Sequence, residues 1–242
     1  DAISKATDWI IGMQSENGGW GAFDIDNTHY VLNNIPFADH GALLDPPTSD
    51  VTARCISMLA QLGYDRSHEV VARGVDYLKS EQEPDGSWFG RWGTNYIYGT
   101  WSVLCAINAA GEDMQSDYVR RSVAWLESKQ REDGGWGEDG ATYFDEQRGL
   151  AKASTASQTA WAVLGLMAAG EVDSPAVDRG IAFLLRADRE GTNWKEEWFT
   201  AVGFPKIFYL RYHGYPKFFP LWALARYRNL KTGNAKLPLT GM

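Results

Sequence analysis

Acids and aromatic rings are the residues of this chain that could do chemistry. Asp24, Asp26, Asp45 and Asp50 crowd one stretch of the sequence. Asp24-Ile-Asp26-Asn27 lacks the second adjacent acid that a D-x-D-D run would supply. In Asp50-Val-Thr-Ala-Arg54 a carboxylate and a guanidinium stand one helical turn apart, which suits an ion pair, either within a site or on a solvated helix face. The rings fall into two clusters. One is Trp88-Phe-Gly-Arg-Trp-Gly-Thr-Asn-Tyr-Ile-Tyr98, and the other holds Phe199, Phe204, Phe208, Tyr209, Tyr212, Tyr215, Phe218 and Phe219. Rings in such numbers fill cores, and they also wall cavities. A cavity papered with rings, without a nucleophile or metal, suits an apolar substrate and a cationic intermediate. A ring face attracts a cation by about 0.5–2 kcal/mol and does not add to it covalently. Other chemistries find little support. His29, His40, His68 and His213 are scattered with no ligand spacing, so no metal is expected. No phosphate-cradling glycine loop and no Ser or Cys nucleophile pattern stands out, and Thr52 and Thr155 read as helix-start residues.

A repeat must position these groups. Gln130-Arg-Glu-Asp-Gly-Gly-Trp136 recurs as Gln14–Trp20 and Gln82–Trp88, with a worn copy at Asp188–Trp194. Nine residues before each Gln, or its replacement, stands a base: Lys5, Arg73, Arg121 and Arg179. Such a register means one supersecondary unit stacked several times. Within a unit, Val123, Leu126 and Trp125 share one helical face, and Gly stops the helix. The Gln can hydrogen-bond free peptide groups at a helix end, while the Trp can lie flat over a neighbouring unit. These residues are expected to hold the fold together. The periodicity predicts helices over 2–13, 51–62, 66–81, 97–110, 117–129, 155–169, 176–187 and 217–229, with Ser49 or Asp50 capping the second, and no convincing strand. Amphipathic helices alternate with helices apolar nearly all round, such as Ala160–Ala168, which must be buried on every side. Two concentric layers satisfy both kinds: an all-α fold, an α/α toroid of about eight helices. Both ring clusters precede inner helices, so they would line the mouth and wall of the central cavity.

The 242 residues suffice for one large domain with a substantial core. A net charge of −8 and no basic stripe argue against nucleic acid. Cys55 and Cys105 lie in apolar stretches, as buried reduced thiols of a cytosolic compartment would. No signal peptide or run of 18 apolar residues appears. The chain opens in mid-pattern, and eight helices do not close a ring of six pairs, so a piece of a longer protein is expected. Leu237-Pro-Leu-Thr-Gly241 fits a sorting string but lacks the apolar, basic tail that sorting needs.

The Gln…Gly-x-Trp repeats resemble the QW motifs of triterpene cyclases. The connecting segments resemble squalene–hopene cyclases: Gly18–Asn27, Asp45–Ala53, Gly86–Gly93, Ser154–Ala160 and Gly203–Leu210. The resemblance runs from Asp1 to about Asn229. It implies that residues 1–230 are the C-terminal part of an α/α barrel, with 231–242 a flexible tail. It implies an acid-started cascade: protonation of squalene, ring closure through carbocations, then proton loss to hopene or water capture to hopanol, with no cofactor. By the same resemblance Phe204 and Phe208 stabilise the cations, Trp92 and Phe23 line the early-ring end, and Leu210, Tyr212 and Tyr215 shape the wall. Asp50, Asp45 and Tyr98 belong to the network around the acid, Arg54 stands where relatives carry His or Arg, and Phe37 sits at the substrate channel. Gln14, Gln82, Gln130, Trp20, Trp88, Trp136 and Trp194 are its structural residues. The family's D-x-D-D-T-A run is absent from 1–242, so this stretch alone is expected not to cyclise squalene. The resemblance implies a peripheral protein at the cytoplasmic face of the membrane and leaves a homodimer open. Readings that stay open beside it are a prenyltransferase β subunit, an oxidosqualene cyclase and a non-catalytic α-toroid binding module.

Overall fold

The structure is a computed structural model that describes residues 1–36, 43–144 and 153–233. The expectations for Phe37 and for the tail from 234 onward lie outside the described residues. Among the described residues eight α-helices carry the fold: α1 (Ala2–Gly12), α2 (Ser49–Gln61), α3 (Glu69–Ser80), α4 (Tyr96–Ala109), α5 (Asp117–Ser128), α6 (Ala156–Ala168), α7 (Pro175–Arg186) and α8 (Tyr215–Lys231). They form two layers of an α/α toroid. Helices α2, α4, α6 and α8 pack in succession as the inner layer, and α1, α3, α5 and α7 form the outer one.

Three of the outer helices share one recipe. In α3, α5 and α7 an aliphatic residue, a small residue, an aliphatic residue and a Leu are buried at positions i, i+3, i+4 and i+7, whereas α1 buries only Thr7. In α3 these are Val71, Gly74, Val75 and Leu78; in α5 Val119, Ser122, Val123 and Leu126; in α7 Val177, Gly180, Ile181 and Leu184. The small residue leaves room for the repeat's Trp: a Cβ on Gly74 would lie 2.9 Å from the Trp20 ring, and one on Gly180 2.8 Å from the Trp136 ring. Inner helices are different. Every residue of α6 is buried, as is all of α4 from Tyr96 to Ile107, as expected for helices apolar all round. Helix α8 departs from that expectation, with only Pro220 and Ala223 buried.

The repeat loops work as staples, and the Gln bonds peptide groups at a helix end as the sequence suggests. The Trp adds a second bond, to a carbonyl at the other helix end. The indole N–H of Trp20, Trp88, Trp136 and Trp194 donates to Ile10, Leu78, Leu126 and Leu184, each in the last turn of the preceding outer helix, at 2.7–2.8 Å. The Gln amide ties its own loop to the start of the next outer helix. Gln14 donates to Gly18 and Val70, Gln82 to Gly86 and Tyr118, and Gln130 to Gly134 and Ala176. The repeat bases close the same joint: Arg121 and Arg179 donate to the Gln82 and Gln130 side-chain oxygens, and Arg73 to the Ser15 and Glu16 carbonyls. Inner helices grip the Trp backbone through Thr52, Thr100 and Thr159, whose hydroxyls accept the N–H groups of Trp20, Trp88 and Trp136. Thr155 caps α6 as expected, whereas the hydroxyl of Thr52 serves this joint rather than a helix start.

Gly134 shows why each loop needs glycine. Its φ is +83°, and a Cβ there would meet the Arg179 carbonyl at 2.8 Å. Gly134→Ala is expected to destabilise the fold by about 2 kcal/mol, measured by urea unfolding, because left-handed backbone and a close approach coincide. A loss within a few tenths of a kcal/mol of zero would refute this reading.

Two small antiparallel hairpins contradict the strand-free expectation: β1 (Arg189–Glu190) with β2 (Asn193–Trp194), and β3 (Ala201–Phe204) with β4 (Phe208–Leu210). Strands of two to four residues are too short to display a period of two. The second hairpin is held by tertiary bonds, Val202 N–H to the Trp92 carbonyl at 3.1 Å and Thr94 N–H to the Thr200 carbonyl at 3.0 Å. The N-cap of α2 is Thr48, not Ser49 or Asp50; both of those lie inside the first turn. No helix among the described residues is long and apolar enough to cross a membrane.

Candidate functional site

The N-termini of α2, α4 and α6 lie at one end of the inner layer, where loops from other units cross them. Asp50, 1% exposed in the first turn of α2, is the joint. Its Oδ2 accepts the backbone N–H groups of Arg91 at 3.0 Å and Trp92 at 2.8 Å. Its Oδ1 accepts the Thr48 hydroxyl at 2.7 Å and the Val51 N–H at 3.1 Å. Burial pushes its carboxyl above the usual range, against the pull of those donors and of Arg54. The i,i+4 ion pair suggested by the sequence does not form. Asp50 gives its Oδ2 to a loop 41 residues away and its Oδ1 to Thr48 and Val51, and Arg54 turns to α4. There its guanidinium lies 4.4 Å from the Trp101 ring and 5.8 Å from that of Tyr98, and it reaches the Ser102 hydroxyl at 3.5 Å.

Four straps hold the 88–93 loop. Asp50 takes its two N–H groups, and the buried Tyr143 hydroxyl donates to the carbonyls of Gly90 at 2.6 Å and Gly93 at 3.1 Å. The Arg91 guanidinium donates to the Gly203 carbonyl at 2.9 Å, and Gly93 bridges to Ala201. The loop and the β3–β4 hairpin are therefore tied to each other.

Between this body and the long connection after Trp20 lies a cavity of ≈ 470 Å³. Phe23, Asp45, Trp92, Phe204, Phe208 and Leu210, all marked from the sequence, line it together. Phe204 and Phe208 meet edge-to-face at 5.4 Å, and Phe23 and Trp92 at 5.9 Å. Gly203 makes the first pair possible, since a Cβ there would fall 2.0 Å from the Phe208 ring. Phe23, 70% exposed, marks the open side. Asp45 does not reach the Asp50 network. Its carboxylate accepts the backbone N–H groups of Ala22, Phe23 and Asp24, and so shapes the turn that presents Phe23.

Tyr98, Tyr212 and Tyr215 gather elsewhere, away from that cavity's lining. Tyr98 is 5.1 Å from Trp161, Trp161 is 5.7 Å from Tyr215, and Tyr215 is 5.1 Å from Tyr212. Trp101 stacks on Trp161 at 5.6 Å within the same group, and Phe219 of α8 closes over both. Burial raises the phenols of Tyr98 and Tyr215 and pushes the thiols of the buried, unpaired Cys55 and Cys105 up to about 12. The marked residues thus form two groups with α2 between them, Asp50 holding the cavity loop and Arg54 lying against the Tyr98 and Trp101 rings.

Sequence reasoning missed several residues of this end. Arg91 lines the cavity with its guanidinium 4.3 Å from the Trp92 ring and 5.6 Å from that of Phe204. Glu138 accepts the N–H groups of Asn95 and Ile97 at the start of α4, and Glu196 that of Ser157 at the start of α6. Gln158 binds the Thr94 and Glu138 carbonyls, tying α6 to the same loops. A signal for the two acids was available: each stands two residues after a repeat Trp, 136 or 194.

A family model described as the squalene-hopene cyclase C-terminal domain matches residues 1–229. The chain is 60% identical over 243 residues to a squalene–hopene cyclase of Bradyrhizobium diazoefficiens, covering all of this chain and 37% of that protein. It is 67% identical over 231 residues to a squalene-hopene cyclase of Schizosaccharomyces japonicus, covering 96% of this chain and 35% of that one. The chain thus spans little more than a third of the length of these relatives. A type II terpene cyclase from Scytonema bound to merosterolic acid A has the same fold, with a TM-score of 0.59 at 18% identity over 93% of this chain and 64% of that chain.

Proposed function

The chain belongs to the squalene–hopene cyclase family, and from that premise we propose that it builds part of the wall of a cavity in which squalene is cyclised through carbocations. The observation that carries the proposal is the shared cavity of Phe23, Trp92, Phe204, Phe208 and Leu210. Its ring faces suit a polyene in the ground state and attract positive charge as bonds form, by about 0.5–2 kcal/mol each and more where water is excluded. Phe204 and Phe208 would stabilise the cations formed midway and later, and Trp92 and Phe23 would hold the early-ring end. Leu210, Tyr212 and Tyr215 would shape the wall. Asp45 would not trap the cation, because its carboxylate already accepts three backbone N–H groups.

Residues 1–242 contain no D-x-D-D run, so the starting proton is proposed to come from an acid outside them. Asp50 and Tyr98 would support that acid's surroundings. Arg54 would favour the ionised form of a carboxylate brought beside it, making the acid form a stronger donor. Proton loss would end the cascade at hopene and water capture at hopanol, with no cofactor. The protein would work at the cytoplasmic face of the membrane, where squalene partitions.

Incubation with squalene in detergent tests the proposal. The full-length protein bearing this sequence should yield hopene or hopanol, and residues 1–242 alone neither above an empty-vector control. In the full-length protein, Phe204→Ala should lower turnover about tenfold and release less-cyclised products. An unchanged product profile would refute the cation-stabilising role, and turnover by 1–242 alone would refute the external acid.

A further inference from the structure

The Arg91 guanidinium is at odds with a cavity built for a cation. Among the described residues lining the cavity, it is the only cationic side chain. Among the described residues, no carboxylate lies within ion-pair distance of it. It rests instead on the Trp92 ring at 4.3 Å, near that of Phe204 at 5.6 Å, and against the Gly203 carbonyl at 2.9 Å. The two rings it touches are two of those the functional reading gives to the substrate. A ring face already turned to a guanidinium has less attraction left for a second cation, and a fixed positive charge repels one. Phe208, on β4, makes no such contact with a cation among the described residues; its ring partner is Phe204, edge-to-face at 5.4 Å.

We propose that Arg91 is a specificity residue for cyclisation: its charge beside Trp92 and Phe204 shortens the substrate cation's stay at those rings, so that Phe204 serves the cation in passing and Phe208 holds it longer. The proposal rests on the cyclase reading. A cation held too long at one wall has time to lose a proton, so the guanidinium would suppress early release of partly cyclised products. The rigid seat makes this possible. Arg91 is fixed at its backbone by Asp50 and at its tip by Gly203, so the charge cannot swing away when the cavity fills.

The test compares Arg91→Met and Arg91→Lys in the full-length protein bearing this sequence. The probe is a squalene-length tertiary amine, protonated at neutral pH, set against its neutral thioether counterpart. Arg91→Met should bind the ammonium compound about tenfold more tightly and the thioether within about twofold of the parent. Arg91→Lys, which keeps the charge, should resemble the parent with both. With squalene, Arg91→Met should also release a larger share of early products. A role limited to bracing Gly203 predicts instead that both compounds weaken together and that the Tm falls; that result, or no change with either compound, overturns the proposal. Should Arg91→Met fail to fold, Arg91→Gln carries the same comparison. If Phe204→Ala alters the product profile while the Arg91 variants do not discriminate the two compounds, this inference fails and the cyclase reading stands. If Phe204→Ala leaves the profile unchanged, the cyclase reading itself has failed.

Discussion

Trp136→Ala should cost about 5 kcal/mol of folding stability and leave the chain largely unfolded, since whole domains are stable by only about 5–15 kcal/mol. Trp136 is fully buried and its ring fills the notch opposite Gly180, so truncation removes a large packed surface worth about 3–5 kcal/mol. Its indole also donates to the Leu126 carbonyl at 2.7 Å, an acceptor shared with the Lys129 N–H at 3.1 Å, and losing that bond adds about 1 kcal/mol. Trp136→Phe separates these parts. It keeps most of the apolar volume and should cost about half as much. Trp194 makes the same carbonyl bond, to Leu184, but from a short hairpin, 6% exposed, with no inner-helix threonine on its backbone among the described bonds. Trp194→Ala should therefore be the milder change. Urea unfolding followed by far-ultraviolet circular dichroism measures all three. Equal losses at 136 and 194 would show that the layered staple is not what holds the repeat.

The helices were legible because the repeat writes each one in the same register. A base, a small residue, an aromatic–Leu pair and a Gly-stopped loop fix a helix's face and its end before any tertiary contact is known. The alternation of amphipathic and all-apolar segments then leaves little choice but two layers. Candidate site residues were marked through the family resemblance, and the structure brings six of them to one cavity. What escaped is what depends on distant partners. Spacing put Arg54 on Asp50, but the N–H groups of Arg91 and Trp92 took that carboxylate. The β3–β4 hairpin exists because residues 92–94 pair with it, which no local pattern records. Arg91 looked like one charge within a ring cluster, and only its seat over Trp92 gives it a part in the site.

Carboxylates recur at the starts of the inner helices for an electrostatic reason. Parallel helices point their positive dipole ends at the same place, and each end carries unpaired N–H groups. Asp50 sits in the first turn of α2, Glu138 covers α4 and Glu196 covers α6, the last two reaching across from the next unit. Burial pushes Glu196 above the ordinary carboxylate range, as it does Asp50. Each acid offsets local positive potential and fastens one unit to its neighbour. The cavity proposed here to hold a cation would gain from both, because bare helix N-termini beside it would oppose the charge.

Asp50→Asn should therefore do more than remove a charge. Both carboxylate oxygens are used as acceptors, and each receives two donors: Arg91 and Trp92 on one, Thr48 and Val51 on the other. An asparagine must turn its NH2 group toward one of these pairs; the Thr48 hydroxyl can reverse and accept it, but the Val51 N–H on that side, or the Arg91 and Trp92 N–H groups on the other, are then left facing a donor. The expected loss is about 3 kcal/mol, from two buried groups left without partners. The 88–93 loop would shift with it and carry the Trp92 ring away from Phe23 and Phe204. A displacement of about 1 Å at a reacting centre can cost about a hundredfold in rate. In the full-length protein, Asp50→Asn should accordingly lower squalene turnover about a hundredfold while the surviving fold still binds a neutral substrate analogue. Thr48→Val is the control: it removes one neutral donor at the far oxygen, should cost about 1 kcal/mol and should leave the products unchanged. If Asp50→Asn matched Thr48→Val in both stability and turnover, Asp50 would be an ordinary buried cap and not the joint between the helix and the cavity wall.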